Sequence, residues 1–354
     1  MIAWDPVFNQ SGPTEFVFRV FSTVPEIQAL LFLLFLLLYL MSLGGNTAII
    51  WVVCTLSSLH TPMYFFLSNL SFIEICYSTN VVPLMLSNIL GAQKPIPLAG
   101  CATQMFVFVT LGGADCLLLA VMAYDRYVAI CHPLQYTLIM TQKLCVQMVV
   151  GSMVLAISLA LSLTGLIFTL PFCGRRREIN HFLCDVPPVL RLACADIHVH
   201  QAVLYMASTL VLTVPFILIS VSYSFIALVI LRISSAEGRR KAFSTCSSHL
   251  MMVLLQYGCG ALVYLRPQSS SSEDEDRPFA LFYTFATPIL NPLIYTLRNK
   301  DIKTALKKAI TVAKEQLKVS SDPSHRGRCV RDKDVTQETS KKNDAIAFIK
   351  IQKS

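Results

Sequence analysis

The sequence predicts an all-α membrane protein: a bundle of seven transmembrane helices, a short amphipathic eighth helix, and the N-terminus outside. Three observations predict it. The chain is 54% hydrophobic and only 14% charged, where a soluble protein carries about 25% charged residues. It holds apolar runs of roughly spanning length at Ile27–Val53, Met63–Leu86, Cys101–Ala123, Leu144–Phe168, Ala202–Leu231, Phe243–Leu265 and Phe279–Leu297. Lys and Arg are more numerous around one set of connecting loops, and the richer set faces the cytoplasm. The excess is modest, because Arg175, Arg176 and Arg177 fall in an outer loop.

Other classes of protein fit less well. The formal charge of +8 flanks helices or lies in the tail, where it serves a membrane surface rather than nucleic acid. No repeat of 20–50 residues echoes between the halves, as a transporter's halves often do. No catalytic set, Walker motif or dinucleotide glycine pattern occurs. Met1-Ile2-Ala3-Trp4-Asp5 lacks a basic leader, so the first span is expected to act as its own insertion signal.

Residues 1–26 read as an outer, polar N-terminus, with Asn9-Gln10-Ser11 as a glycosylation sequon. Asn69-Leu70-Ser71 matches the same pattern by chance, inside an apolar run. In the first span, Gly44-Gly45-Asn46 reads as close helix packing beside a buried amide. The third, sixth and seventh spans carry interior polar residues and should be the less apolar ones. Glu74 and Asp115 each lie inside an apolar run, where an unpaired carboxylate costs several kcal/mol. They must be protonated, paired, or solvated by a cation or water.

Cys101, Cys173, Cys184 and Cys194 fall outside, where disulfides form, and four thiols leave three connectivities open. Residues 269–276, a Ser and acid run, read as a solvated outer loop, with a ligand or cation gate as the other reading. The basic stretch 298–318 reads as an amphipathic helix on the membrane, and 319–354 as a disordered cytoplasmic tail.

The third span closes on Met122-Ala123-Tyr124-Asp125-Arg126-Tyr127-Val128-Ala129-Ile130-Cys131-His132-Pro133-Leu134. An acid, an Arg and aromatic rings at a membrane edge are costly unless used. This stretch resembles the olfactory receptors, the tetrapod-type branch of rhodopsin-like G-protein-coupled receptors. So do Pro62-Met63-Tyr64-Phe65-Phe66-Leu67, Ser222-Tyr223, the run from Lys241 to Leu250 (KAFSTCSSHL) and the run from Pro288 to Asn299 (PILNPLIYTLRN). The resemblance runs from about Phe18 to about Ala309.

The resemblance implies a receptor in the plasma membrane that takes a small volatile ligand and activates a heterotrimeric, stimulatory-type G protein through cyclic AMP. A same-fold receptor for a metabolite outside the nose is the alternative, and a transporter the outer rival; substrate flux into vesicles would reveal the latter. It implies ligand contacts from Phe108, Val109, Gly112, Gly113, Ser208, Tyr257, Ala261, Tyr264 and Thr284, between the third, fifth, sixth and seventh helices. None is charged, so the ligand is expected to be mostly apolar. Coupling is implied for Asp125, Arg126, Tyr127, Tyr223, Lys241, His249, Asn291, Pro292 and Tyr295, with Asp125 restraining Arg126 at rest. Glu74, Asp115 and Asn291 would form a cation or proton site; no cofactor is implied beyond a sodium ion there. Cys101 would pair with Cys184 and Cys173 with Cys194, Cys101–Cys194 being the competing pair.

Overall fold

The computed structural model describes residues 14–19, 21–90, 95–172, 177–232, 234–265 and 273–298. The chain divides into two units, Met1–Ile302 and Lys303–Ser354, and the description concerns the first. The Asn9 sequon, Cys173, residues 269–272, the basic stretch after Arg298 and the tail lie outside the described residues.

Seven long helices form a bundle: α1 (Pro25–Thr55), α2 (Pro62–Ile89), α3 (Leu98–Cys131), α4 (Gln142–Phe168), α5 (His198–Arg232), α6 (Ala236–Tyr264) and α7 (Glu273–Arg298). The first six are long and apolar enough to cross a membrane; α2 and α6, rather than α3, are the least apolar of them. Outward-facing Leu30, Leu33, Leu37, Phe72, Leu161, Leu218 and Leu254 are exposed, as lipid-facing side chains must be.

Local chemistry explains where several helices start. Pro25 and Pro62 stand in the first turns of α1 and α2, where the missing N–H removes nothing. Thr141 caps α4 by accepting from Leu144 N, and Ser235 caps α6 by accepting from Gly238 N. That cap starts α6 at Ala236, seven residues before the apolar run. Likewise α7 begins at Glu273, so residues 273–276 are helix and not the loop expected from their charge. In α5 a wide turn at Thr209–Thr213 ends two residues before Pro215, where the ring removes a ladder bond.

The expectation of an all-α chain misses a small sheet at one end of the bundle. β1 (Glu15–Phe18) lies between β2 (Ile96–Pro97), antiparallel to it, and β3 (Glu178–Ile179), parallel to it. Phe16 and Phe18 alternate inward and are buried. The ring of Phe16 meets that of Phe172 edge-on at 5.4 Å. A segment expected to be merely polar is thereby packed beneath the connection between α4 and α5.

That connection is tethered twice. A disulfide joins Cys184 to Cys101 in the first turn of α3, across 83 residues. The Cys184 N–H also donates to Gln104 Oε1 at 2.9 Å, and Gln104 and Asn80 exchange side-chain bonds to each other's backbone carbonyls. Cys194 is itself disulfide-bonded, with its partner outside the described residues.

His181 in this loop is buried, stacks on Phe182 at 4.5 Å and accepts from Leu183 N at Nδ1. Burial first, and the Arg277 guanidinium second, push its imidazole down from 6.5 to about 3. The folded loop therefore holds a neutral ring that the unfolded chain protonates more readily. Its contribution is whole above about pH 6.5 and lost progressively as pH falls toward 3, by at most about 1.4 kcal/mol per unit. Melting the purified receptor in nanodiscs at pH 7.5 and 5.0 should show a marked acid loss that His181→Gln largely removes.

Candidate functional site

Below the tethered loop, the helices enclose a cavity with about 100 Å³ open to the centre of a water-sized sphere. Its walls come from Phe108, Val109, Gly112, Gly113 and Cys116 of α3, and Ala156, Leu159 and Leu163 of α4. Leu204, Ala207, Ser208, Val211 and Leu212 of α5 follow, with Gln256, Gly260 and Tyr264 of α6. Tyr77 of α2, Tyr283 of α7 and Val186 of the loop complete it. The glycines make the space. A Cβ on Gly113 would stand 3.5 Å from Ala156 Cβ, and one on Gly260 would meet Leu212 at 3.1 Å.

Six of the nine expected contacts line this cavity; Tyr257, Ala261 and Thr284 do not. Ala261 and Thr284 are one residue out of phase with Gly260 and Tyr283, which do line it. One residue turns a helix by about 100°, enough to rotate a side chain off the wall. Tyr257 lies deeper, its hydroxyl donating to the Cys116 carbonyl at 2.7 Å. The α4 wall, Tyr77 and Val186 went unanticipated, since their apolar or aromatic character matches any core position; Gln256 went unanticipated as a lone amide in an apolar run.

At the cavity's disulfide end sits Asp185, buried at 1% exposure. Its Oδ1 accepts from Val186 N at 2.7 Å, capping a short turn. Tyr264 Oη donates to both carboxylate oxygens at 2.9 Å, and Tyr283 Oη to Oδ2 at 3.4 Å.

A polar layer lies under the opposite end. Glu74 and Asp115 line one small space with Tyr77, Gln256, Tyr283 and Thr287. Asn291 Nδ2 donates to Glu74 Oε1, while Thr287 donates to Gln256 Oε1 at 3.0 Å. Pro292 has no N–H for the carbonyl four residues back, which is that of Pro288. Asn46 Nδ2 takes that carbonyl at 2.9 Å. Gly45 allows the approach: a Cβ there would fall 2.9 Å from Pro292 Cβ, whereas Gly44 has nothing within 4 Å. Only one of the two glycines therefore serves close packing.

At the other end of α3, Asp125 and Arg126 form no ion pair among the described residues. Neighbours on a helix point about 100° apart, and Asp125 Oδ1 instead accepts from Tyr136 Oη at 2.8 Å. Arg126 Nη2 is buried with no hydrogen-bond partner among the described residues. Tyr127 Oη meets His132 Nε2 at 3.2 Å. His249 joins three helices: its Nε2 donates to Leu119 O at 3.1 Å, which leaves Nδ1 to accept from Tyr223 Oη at 2.9 Å. Lys241 and Tyr295 lie in α6 and α7, but their side chains lie outside the described residues.

The bundle and its enclosed cavity define a seven-helix receptor of the rhodopsin kind. The structure superposes on squid rhodopsin with a TM-score of 0.62, at 16% identity, over 83% of this chain and 88% of that one. Residues 35–313 match the family model described as olfactory receptor. The chain is 75% identical to human olfactory receptor 10Q1, over 86% of this chain and 95% of that receptor. With human olfactory receptor 10V1 it shares 57% identity, over 85% of this chain and 98% of the other. The chain belongs to the olfactory receptor family of G-protein-coupled receptors. It is a multi-pass membrane receptor and not an enzyme.

Proposed function

We propose that the cavity takes a small, mostly apolar odorant and that its occupancy drives a stimulatory-type G protein and cyclic AMP. The N-terminus is outside the cell in this reading, as the loop charges imply, and the C-terminus is cytoplasmic. The observation that carries it is the enclosed, mostly apolar cavity whose inner boundary is made by the contact between α3 and α6. Bonds from Tyr257 to Cys116 O and from His249 to Leu119 O hold those helices together there. A ligand pressing on Cys116, Gln256 and Gly260 acts on the Tyr257 bond directly. His249 lies two turns further along α6, toward Arg126, so a shift of α6 uncovers the inner end of α3. Ligand affinity comes from apolar area, at about 25 cal/mol per Å² removed from water.

The test is a cyclic-AMP screen of volatile compounds on cells expressing the chain, followed by Gly113→Leu. The added side chain fills the cavity, so it should abolish the response to any active volatile while surface expression holds. An undiminished response in Gly113→Leu would move the ligand elsewhere.

The polar layer is proposed as a shared proton or cation site. Glu74 Oε2 and Asp115 Oδ1 are buried without hydrogen-bond partners among the described residues. An all-oxygen set fits a hard cation such as sodium, and a shared proton satisfies the same pair. In either case the two acids act as one unit, with a coupling of about 0.5–3 kcal/mol. Glu74→Gln with Asp115→Asn should therefore cost less than the sum of the single changes in a thermal double-mutant cycle. Strict additivity, insensitive to sodium and pH, would separate the two acids.

A further inference from the structure

The polar end of the cavity presents one sense of hydrogen bonding. A phenol has one proton and two lone pairs. Tyr264 gives its proton to Asp185 at 2.9 Å, and Tyr283 points its own at Asp185 Oδ2 from 3.4 Å. Both rings line the cavity. What these hydroxyls turn toward a ligand is then lone-pair capacity. Asp185 accepts from both phenols and from Val186 N, so its oxygens hold the phenol protons.

The deeper polar wall holds Gln256 and Ser208. Gln256 Oε1 accepts from Thr287, and its amide points at Cys116 Sγ from 3.8 Å.

We propose that Asp185, acting through the hydroxyls of Tyr264 and Tyr283, makes this cavity select ligands headed by a hydrogen-bond donor. Alcohols, phenols and primary amines qualify; ketones, esters and carboxylates of the same skeleton do not. The inference rests on this cavity being the ligand site. A carbonyl oxygen at this end faces lone pairs and leaves a buried acceptor unpaired, which is costly. A carboxylate head sets more acceptor oxygens and its own charge against those lone pairs and the Asp185 carboxyl in a water-poor space. An O–H or N–H head completes a relay that ends on Asp185, and sites built around such bonds discriminate strongly against analogues lacking the group. Asp185 is a positioning residue, since it acts through the phenols and does not line the cavity.

The full-length receptor in nanodiscs would be titrated with 1-cyclohexylethanol, 1-cyclohexylethylamine, cyclohexyl methyl ketone and cyclohexanecarboxylate, and with the matched linear eight-carbon set. Apparent affinity is read from the concentration dependence of melting. The alcohol and amine should bind about tenfold tighter than the ketone, with the acid weakest. Asp185→Asn keeps one acceptor oxygen for Val186 N and turns the other into an amide donor, which frees the Tyr283 proton toward the ligand, so the preference should swing toward the ketone by about tenfold while the alcohol still binds. Should Asp185→Asn fail to fold, Tyr283→Phe serves in its place, and the donor preference should narrow.

Ketone or acid binding as tightly as alcohol, and lost in Gly113→Leu, overturns the preference and leaves the cavity reading intact. Silence across the panel, or binding that Gly113→Leu does not alter, removes the cavity reading and the inference with it.

Discussion

Cys184→Ser should retain most of the receptor inside the cell and lower its melting temperature when it is recovered. The bond it removes joins Cys184 to Cys101 across 83 residues, and losing a loop-closing disulfide costs about 2–5 kcal/mol. Stabilities of whole domains are about 5–15 kcal/mol, so that loss is a large fraction. Cys101→Ser should behave alike, and the double change no worse than either, because one bond is lost in all three. At that end of α3 the loop would then keep the bond from Cys184 N to Gln104 Oε1. Adding Gln104→Ala to Cys184→Ser should remove a further 1–3 kcal/mol or so by leaving a buried N–H unpaired. Surface immunostaining and melting curves read both effects. Normal trafficking of Cys184→Ser would show that the packing of Phe16, Phe18 and Phe172 suffices without the bridge.

Arg126→Ala should reach the surface and give no ligand-dependent cyclic AMP. The side chain stands at the end of α3 remote from the cavity, with Nη2 buried and unpartnered among the described residues. A guanidinium with unused donors is a ready contact for backbone carbonyls or carboxylates of a partner. Its removal should leave the fold intact, because Asp125 already accepts from Tyr136. The expected loss is of the whole response, at unchanged surface density. A mutant that signalled at full strength would exclude Arg126 from coupling.

Much of the bundle was legible because lipid imposes a simple rule. Backbone groups in hydrocarbon must bond within their own segment, so apolar runs of spanning length become helices. The ends were less legible. Helix α3 continues eight residues past its apolar run to Cys131, since charge at the membrane edge does not stop the backbone ladder. Helix α6 starts early because Ser235 supplies a cap, and α7 because acidic residues in a first turn favour a helix N-terminus. Composition alone registers polarity at these places and not the caps.

The sequence by itself determined the number of long apolar segments, the presence of buried acids at Glu74 and Asp115, and the family motifs around Arg126 and Asn291. Tertiary structure decided which side of each helix faces the cavity. Hydrophobicity is nearly uniform around α6, so there it carries no phase; packing placed Gly260 rather than Ala261 on the wall, and Tyr283 rather than Thr284 in α7. Tertiary structure also decided the partners of polar groups: Tyr136 rather than Arg126 for Asp125, and Tyr264 with Tyr283 for Asp185. Those pairs are separated by 11, 79 and 98 residues. Hydrogen bonds act over about 3 Å, and only the folded chain brings such distant groups that close.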